Sequence, residues 1–106
     1  MNKYLEIINY HGVRKQLKHF ISEVHEFSEA VLDYENAKNY VNSEDLEKFK
    51  VHIIEEFSDC IHMLLQFKEK YVIRNKDVID VVEFKNKRTL NKIKEEQVNE
   101  DNRFDK

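Results

Sequence analysis

Residues 13–34, VRKQLKHFISEVHEFSEAVLDY, decide the fold class because they carry apolar side chains at steps of three and four positions. Steps of this size keep side chains on one face of an α-helix. The pattern continues without a break for about six turns, which predicts a long amphipathic helix. We call the apolar positions of this helix, and those of a second long helix described below, the apolar line. In residues 13–34 its members are Val13, Leu17, Phe20, Val24, Phe27, Val31 and Tyr34.

A second long helix with the same spacing is predicted after a short polar break. Asn42 or Ser43 is a suitable N-cap for this helix, which we expect to run to about Tyr71. Glu44 and Asp45 then lie in its first turn, where the positive end of the helix dipole favours acids. Its part of the apolar line also steps by three and four: Leu46, Phe49, Ile53, Phe57, Cys60, Leu64, Phe67 and Tyr71.

Two shorter helices complete the prediction. One covers residues 2–10, and the other covers about residues 76–96, with Asn75 as its expected cap. Residues 1–96 are therefore predicted to form a single all-α domain, an antiparallel bundle of four to five helices in which the two long helices pair. Residues 97–106, QVNEDNRFDK, are predicted to form a polar C-terminal tail.

Composition excludes several classes of protein. The chain of 106 residues has 18 basic and 21 acidic side chains and a net charge of −3, which argues against nucleic-acid binding driven by bulk charge. It lacks a run of about 18 apolar residues, so we expect no membrane-spanning segment. The first residues, MNKYLEIINYHG, lack the apolar region of a signal peptide. Cys60 is the single cysteine, and we expect it to be a small core residue. We expect the protein to lie in the cytoplasm, a reducing compartment.

Four acids lie one position before the apolar line of the two long helices. They are Glu23 and Glu26 in the first helix and Glu56 and Asp59 in the second. Side chains three apart on a helix have Cβ atoms about 5–6 Å apart, so antiparallel pairing brings the four carboxylates together. We call the positions directly before the central ones of the apolar line the acidic line, after its four acids, and we expect it to lie at the edge of the buried face. Its members are Gln16, His19, Glu23, Glu26 and Ala30, and then His52, Glu56, Asp59, Met63 and Gln66.

Converging carboxylates favour a divalent cation. Like charges at the rim of a core repel and lose hydration, so they need protons or cations as partners. Mg²⁺ prefers oxygen ligands and keeps several waters, and four carboxylates suffice for one or two such ions, with Mn²⁺ as a substitute. Neither pair contains the E-x-x-H or C-x-x-C pattern of di-iron or zinc sites. A solvated acidic surface is the alternative interpretation of either pair taken alone.

The acids stand in two short motifs, SEVHE at residues 22–26 and EEFSD at residues 55–59. Together they resemble the pattern E-E-x-x-E, a gap, then E-E-x-x-D of the MazG-like all-α nucleoside triphosphate pyrophosphohydrolases. The second motif is complete, and the first has serine in place of the leading glutamate. YHGVRKQLKHFISEVHEFSEAV at residues 10–31 is similar to the family's opening, and EFKNKRTLNKI at residues 83–93 resembles its closing basic helix. The likeness covers about residues 7–95, with gaps.

This resemblance implies an activity and roles for the matching residues. Members of the family cleave a nucleoside triphosphate between the α and β phosphates, release a monophosphate and pyrophosphate, and are usually dimers or tetramers. Ser22 departs from the pattern but leaves the four ligand positions intact. The matches are Glu23, Glu26, Glu56 and Asp59 as Mg²⁺ ligands, Glu55 as the acid that orients or deprotonates the attacking water, Lys85 and Arg88 as catalytic and substrate-binding phosphate contacts, and Gln16 as a contact to the base or sugar.

We therefore expect a magnesium-dependent nucleotide pyrophosphohydrolase that works as a homodimer or homotetramer. Apolar side chains on more than one face of the third and fourth helices favour self-association, among them Ile54, Ile61, Leu65, Val78 and Val81. The alternative is a non-enzymatic helical-bundle protein with an interaction or regulatory role, whose acids form a solvated or partner-binding edge.

Overall fold

The computed structural model describes the backbone of residues 2–104 and the side chains of residues 2–102. Every helix or strand assigned within that range is an α-helix, which confirms the predicted all-α class. The helices are α1 (Lys3–His11), α2 (Val13–Ala37), α3 (Ser43–Lys70) and α4 (Asn75–Phe104). Among the described residues, none of the helices is both long and apolar enough to cross a bilayer.

The chain divides between Val72 and Ile73 into two compact units. Helices α1 to α3 belong to the first unit, and α4 belongs to the second. The single domain expected over residues 1–96 stays a prediction.

Local polar groups set the ends of the helices in the first unit. Asn2 caps α1 by accepting a hydrogen bond from the Tyr4 amide at 2.9 Å. Asn42 caps α3, as predicted, by accepting one from the Asp45 amide at 2.8 Å. Gly12 joins α1 to α2 with a φ of +90°, which glycine adopts without the steric cost that a Cβ would bring.

Helices α2 and α3 form an antiparallel pair, and α1 packs against both. Phe20 lies against Phe67 with ring centroids 6.0 Å apart, and Phe27 lies against Phe57 at 5.9 Å, so the two chain directions oppose. Ile8 of α1 is fully buried. The predicted pairing of the two long helices is confirmed.

The side chains packed between α2 and α3 follow the predicted apolar line only in part. The most buried side chains of this pair are Gln16, Ala30, Met63 and Gln66, and all four belong to the acidic line. The packed positions come from both lines and again step by three and four. We call them the inner line: Gln16, Phe20, Glu23, Phe27, Ala30 and Tyr34 in α2, and Phe49, Ile53, Glu56, Cys60, Met63 and Phe67 in α3.

The expectation that the acidic line lies at the edge of the buried face fits Glu23 and Glu56, whose burial is intermediate. The side chains of Glu23 and Glu56 are 14% and 13% exposed, within the packed contact between the helices. Two adjacent lines fit within the broad buried stripe of one helix, and the partner helix settles between them. Within α2 and α3, four members of the apolar line are left half-exposed and form what we call the outer flank: Leu17 (47%), Val24 (42%), Phe57 (51%) and Leu64 (46%).

Helix α4 is longer than predicted. The described part of the expected polar tail, residues 97–104, continues the helix to Phe104, while residues 105–106 lie outside the described residues. This segment contains no glycine or proline, and several of its residues are good helix formers, so nothing in it stops the helix. Near the start, Arg74 makes two hydrogen bonds to Asp77, at 2.8 and 3.1 Å.

Candidate metal centre

Three acids from facing turns of α2 and α3 form a cluster, which we call the acidic cluster: Glu23, Glu56 and Asp59. One carboxylate oxygen from each lies within 4.8 Å of the others. The two glutamates belong to the inner line and are largely buried, whereas Asp59 is exposed. The cluster therefore has a buried base and one edge that a ligand in solution can reach.

Each glutamate of the cluster holds one buried oxygen without a hydrogen-bond partner. These atoms are Oε2 of Glu23 and Oε2 of Glu56. A carboxylate oxygen that has lost water and gained neither a donor nor a cation lowers the stability of the folded state. A positive ion within reach of these atoms would satisfy them.

Burial and like charge raise the pKa of Glu56 above its ordinary value. Burial is the largest cause, followed by the charges of Glu26 and Asp59, while His52 acts in the opposite direction. A hydrogen bond that protonated Glu56 can make to Glu26 also favours the neutral form. Glu26 is therefore a close neighbour of the cluster, although its own side chain is exposed. The fourth predicted ligand thus lies near Glu56 but is not one of the three acids whose oxygens cluster.

The thiol of Cys60 lies on the inner line and responds to the same charges. Its pKa is raised, first by burial and then by the charges of Glu23, Asp59, Glu56 and Glu26. A raised pKa means less thiolate and lower reactivity. This agrees with the interpretation of Cys60 as a packing residue.

A histidine stands four residues before each buried glutamate. The Nε2 atom of His19 lies 2.9 Å from Oε1 of Glu23. The Nδ1 atom of His52 lies 3.9 Å from Oε1 of Glu56 and 3.8 Å from Oε2 of Glu55. Both histidines were on the predicted acidic line, but the sequence pattern assigned neither of them a role at the site.

Gln16, the predicted substrate contact, is buried and paired with a second glutamine. Its Nε2 donates to Oε1 of Gln66 at 2.8 Å. The sequence held a signal for this pair that was missed, because Gln16 lies two turns before Glu23 and Gln66 lies two turns after Asp59. Both amides line a groove of about 400 Å³, whose other lining residues are Ile7, His11, Lys15, His19, His62 and Met63.

Among the remaining predicted site residues, Glu55 is not part of the acidic cluster, and Lys85 and Arg88 belong to the second unit. Glu55 stands one residue before Glu56, and its side chain is 68% exposed. Lys85 and Arg88 lie on α4 in the second unit, where the Arg88 guanidinium carbon stands 5.9 Å from the centroid of the Phe84 ring. The catalytic roles of these three residues stay predictions.

The donors of the acidic cluster suit a hard divalent cation. The three clustered donors are carboxylate oxygens, and Glu26 beside them would add a fourth. Mg²⁺ and Mn²⁺ prefer such oxygens, whereas zinc and copper sites draw on imidazole or sulfur. The two unpartnered Oε2 atoms are the observation in favour of a cation, since exposed acids alone need none.

No protein-family model matches the chain, and no curated protein or solved structure matches it either. The resemblance to MazG-like pyrophosphohydrolases therefore rests on the two motifs and the residues that surround them.

Proposed function

We propose that the chain is a Mg²⁺-dependent nucleotide pyrophosphohydrolase, which converts a nucleoside or deoxynucleoside triphosphate to the monophosphate and pyrophosphate. The observation that carries this proposal is the pair of buried, unpartnered oxygens on Glu23 and Glu56. Apolar side chains at these two inner-line positions would stabilise the helix pair better than carboxylates do. Acids at such positions indicate a ligand of opposite charge.

Glu23, Glu56 and Asp59 would hold the ion, with Glu26 as the fourth ligand. When bound, the ion would supply neutralisation of phosphate charge and activation of a water for attack. The helix pair fixes the two buried glutamates, while the two exposed acids stand at the side that a triphosphate can approach.

The groove next to the cluster supports a nucleotide as the substrate. His19 both lines the groove and contacts Glu23, so the groove and the cluster adjoin. Its lining includes Lys15 and three histidines, and none of its lining residues is acidic. A second cleft at the other end of the pair is lined by Asp33, Val41, Asp45, Lys48, Phe49 and His52. A triphosphate is strongly anionic, so electrostatics favour its approach through the groove.

The proposed reaction forms one bond to phosphorus and breaks another. The water oxygen bonds to the α-phosphorus, the bond to the α–β bridging oxygen breaks, and pyrophosphate leaves with that oxygen. Glu55 is proposed to orient the water or take its proton. Lys85 and Arg88 are proposed to contact the phosphates and stabilise the charge that develops. The resemblance alone assigns these three roles.

The direct test is pyrophosphate release from a panel of canonical and damaged nucleoside triphosphates. We expect release with Mg²⁺, none with EDTA, and a large loss in the Glu23→Gln variant. Glu29→Gln is the matched control, because Glu29 is an exposed acid of α2 whose carboxylate pairs with His25 at 3.0 Å. Failure to release pyrophosphate from any triphosphate would count against the proposed activity.

We propose in addition that the working form is a homodimer or homotetramer. The outer flank leaves Leu17, Val24, Phe57 and Leu64 half-exposed within the first unit. Burial of apolar surface stabilises an assembly by about 25 cal/mol per Å². Light scattering on the purified chain at micromolar concentration tests this, and a strictly monomeric mass contradicts it.

The second candidate is a non-enzymatic helical interaction protein, which the outer flank favours because apolar surface is a common feature of protein interfaces. Thermal unfolding with and without millimolar Mg²⁺ or Mn²⁺ separates the two candidates. An ion present at 100 times its Kd stabilises the folded state by about 2.7 kcal/mol, whereas a scattered acidic surface responds little. An unchanged melting temperature with both ions would favour the interaction protein.

A further inference from the structure

We infer that His19 and His52 are positioning residues: His19 holds Oε1 of Glu23 so that Oε2 faces the cation, and His52 stands where a small movement would let it do the same for Glu56. This rests on the proposed function, since it requires that the acidic cluster binds a divalent ion. Neither histidine belongs to the two acid motifs, and the inference comes from the geometry around the buried glutamates.

The two halves of the cluster share one local sequence pattern. Residues 19–26 read HFISEVHE, and residues 52–59 read HIIEEFSD. Histidine, isoleucine, glutamate and a final acid occupy the same places in both. In an antiparallel pair, matching patterns place matching side chains on opposite sides of one centre. The structure shows this for the glutamates, which have nearly equal exposure and one unpartnered buried oxygen each.

The contact in the first half divides the two oxygens of Glu23. Oε1 lies 2.9 Å from Nε2 of His19, within hydrogen-bonding distance, while Oε2 has no partner. A histidine with its proton on Nε2 donates to Oε1 and limits rotation of the carboxylate. Oε2 is then the oxygen left for an ion.

The contact in the second half is looser. Nδ1 of His52 stands between two acids, 3.9 Å from Glu56 and 3.8 Å from Glu55, and neither distance is a hydrogen bond. Closing one of these contacts needs only a small movement of an exposed side chain. We therefore expect His52 to contribute less than His19 to ion binding.

A plain surface ion pair is the alternative explanation of both contacts. The same spacing occurs in α2 between His25 and Glu29, whose atoms lie 3.0 Å apart on side chains that are 73% and 62% exposed. That pair lies outside the acidic cluster, and both of its side chains are exposed. It is the matched control, because it has the same residue types, spacing and helix without the cluster.

The test is calorimetric titration of the full chain with Mn²⁺. Loss of a group that orients a metal ligand typically weakens binding about 10- to 100-fold, and we expect this for His19→Ala. His19→Gln should recover most of the affinity, because its amide nitrogen can stand in for Nε2. His52→Ala should weaken binding less, with recovery in His52→Asn, whose amide nitrogen can stand in for Nδ1. His25→Ala should bind like the unmodified chain.

Each result supports or overturns the inference. If the unmodified chain binds Mn²⁺ and His19→Ala binds it equally well, the positioning role is overturned while the proposed function stands. If His19→Gln binds as weakly as His19→Ala, with the metal-free melting temperatures of all variants alike, the imidazole has another role and the inference is again overturned. If the unmodified chain binds no Mn²⁺, the proposed function and the inference fail together.

Discussion

Positions of the inner line and the outer flank are neighbours in sequence. At two of these neighbouring pairs an acid is packed between the helices, and the apolar residue that follows it is half-exposed. Glu56 stands inside the pair while Phe57, the next residue, is half-exposed, and the same holds for Glu23 and Val24. An isolated helix pair would be more stable with these residue types exchanged. Packing within one chain therefore does not explain why acids are buried and apolar side chains are exposed at these positions. A cation bound between the helices would explain the buried acids. A second apolar surface packed on the outer flank would explain the exposed apolar side chains.

The largest effect should come from a buried apolar side chain of the inner line. Met63 is almost fully buried, and Met63→Ala should lower the free energy of unfolding by about 2–5 kcal/mol, because it removes packed atoms and leaves a cavity. The neighbouring Leu64→Ala is the matched control and should cost less than about 1 kcal/mol in a dilute monomer. Urea unfolding measures both. A cost for Leu64→Ala that exceeds that of Met63→Ala at every concentration would contradict the division into inner line and outer flank.

The bounds of the helices in the first unit could be predicted because they depend on local signals. Asn42 as a cap, Gly12 as a joint and apolar steps of three and four act within one or two turns. The end of α4 was missed because a polar composition suggested a frayed tail, although such residues are often good helix formers.

The inner line could not be predicted from the steps alone. The apolar line and the acidic line both step by three and four, and they differ by one residue, about 100° around the helix. Hydrophobicity selects the apolar line, but the partner helix selects a line between the two, which leaves part of the apolar surface outside. The convergence of Glu23, Glu56 and Asp59 was predicted, whereas the missing hydrogen-bond partners of Oε2 in Glu23 and in Glu56 were not. The Gln16–Gln66 pair depends on the register of the two helices, for which the equal spacing of Gln16 from Glu23 and of Gln66 from Asp59 was the available signal.

Removal of one buried charge should have opposite effects on activity and on stability. Glu56→Gln should lower the rate of pyrophosphate release roughly 100-fold or more, the scale on which loss of one charge-stabilising group acts. It should also abolish the rise in melting temperature caused by Mg²⁺. The metal-free melting temperature should rise, because a buried carboxylate repelled by Glu26 and Asp59 is replaced by a neutral amide. A lower metal-free melting temperature would contradict this account of Glu56.

The stability gained in Glu56→Gln should depend on pH. The pKa of Glu56 is raised in the folded chain, so its protonated form favours folding. That stability is fully present below the ordinary glutamate pKa and is lost as pH rises through the raised value. Without metal, the variant and the unmodified chain should therefore unfold alike in acid and diverge towards neutral pH. Thermal unfolding in EDTA over this range checks it, and a difference that shrinks as pH rises would contradict it.

A charge on the outer flank should affect assembly and leave the cluster intact. Leu64→Lys places an ammonium group on surface that is proposed to be covered, and we expect the dissociation constant of the assembly to rise about tenfold or more, since a desolvated unpaired charge is costly. The increase in melting temperature caused by Mn²⁺ should remain. Sedimentation over a range of concentrations measures assembly. The same mass and affinity as the unmodified chain would show that Leu64 is not covered.

The smallest effect should be a change in the reactivity of Cys60, the thiol of the inner line. Burial and the neighbouring acids raise its pKa, so alkylation by iodoacetamide at mildly alkaline pH should be several-fold slower than for an exposed thiol. Ser28→Cys in a Cys60→Ala background supplies that thiol on the exposed side of α2. Glu56→Gln should accelerate alkylation of Cys60, because it removes one of the charges that oppose the thiolate. If Cys60 reacts as fast as the exposed thiol and does not respond to Glu56→Gln, burial and charge do not act together on the inner line.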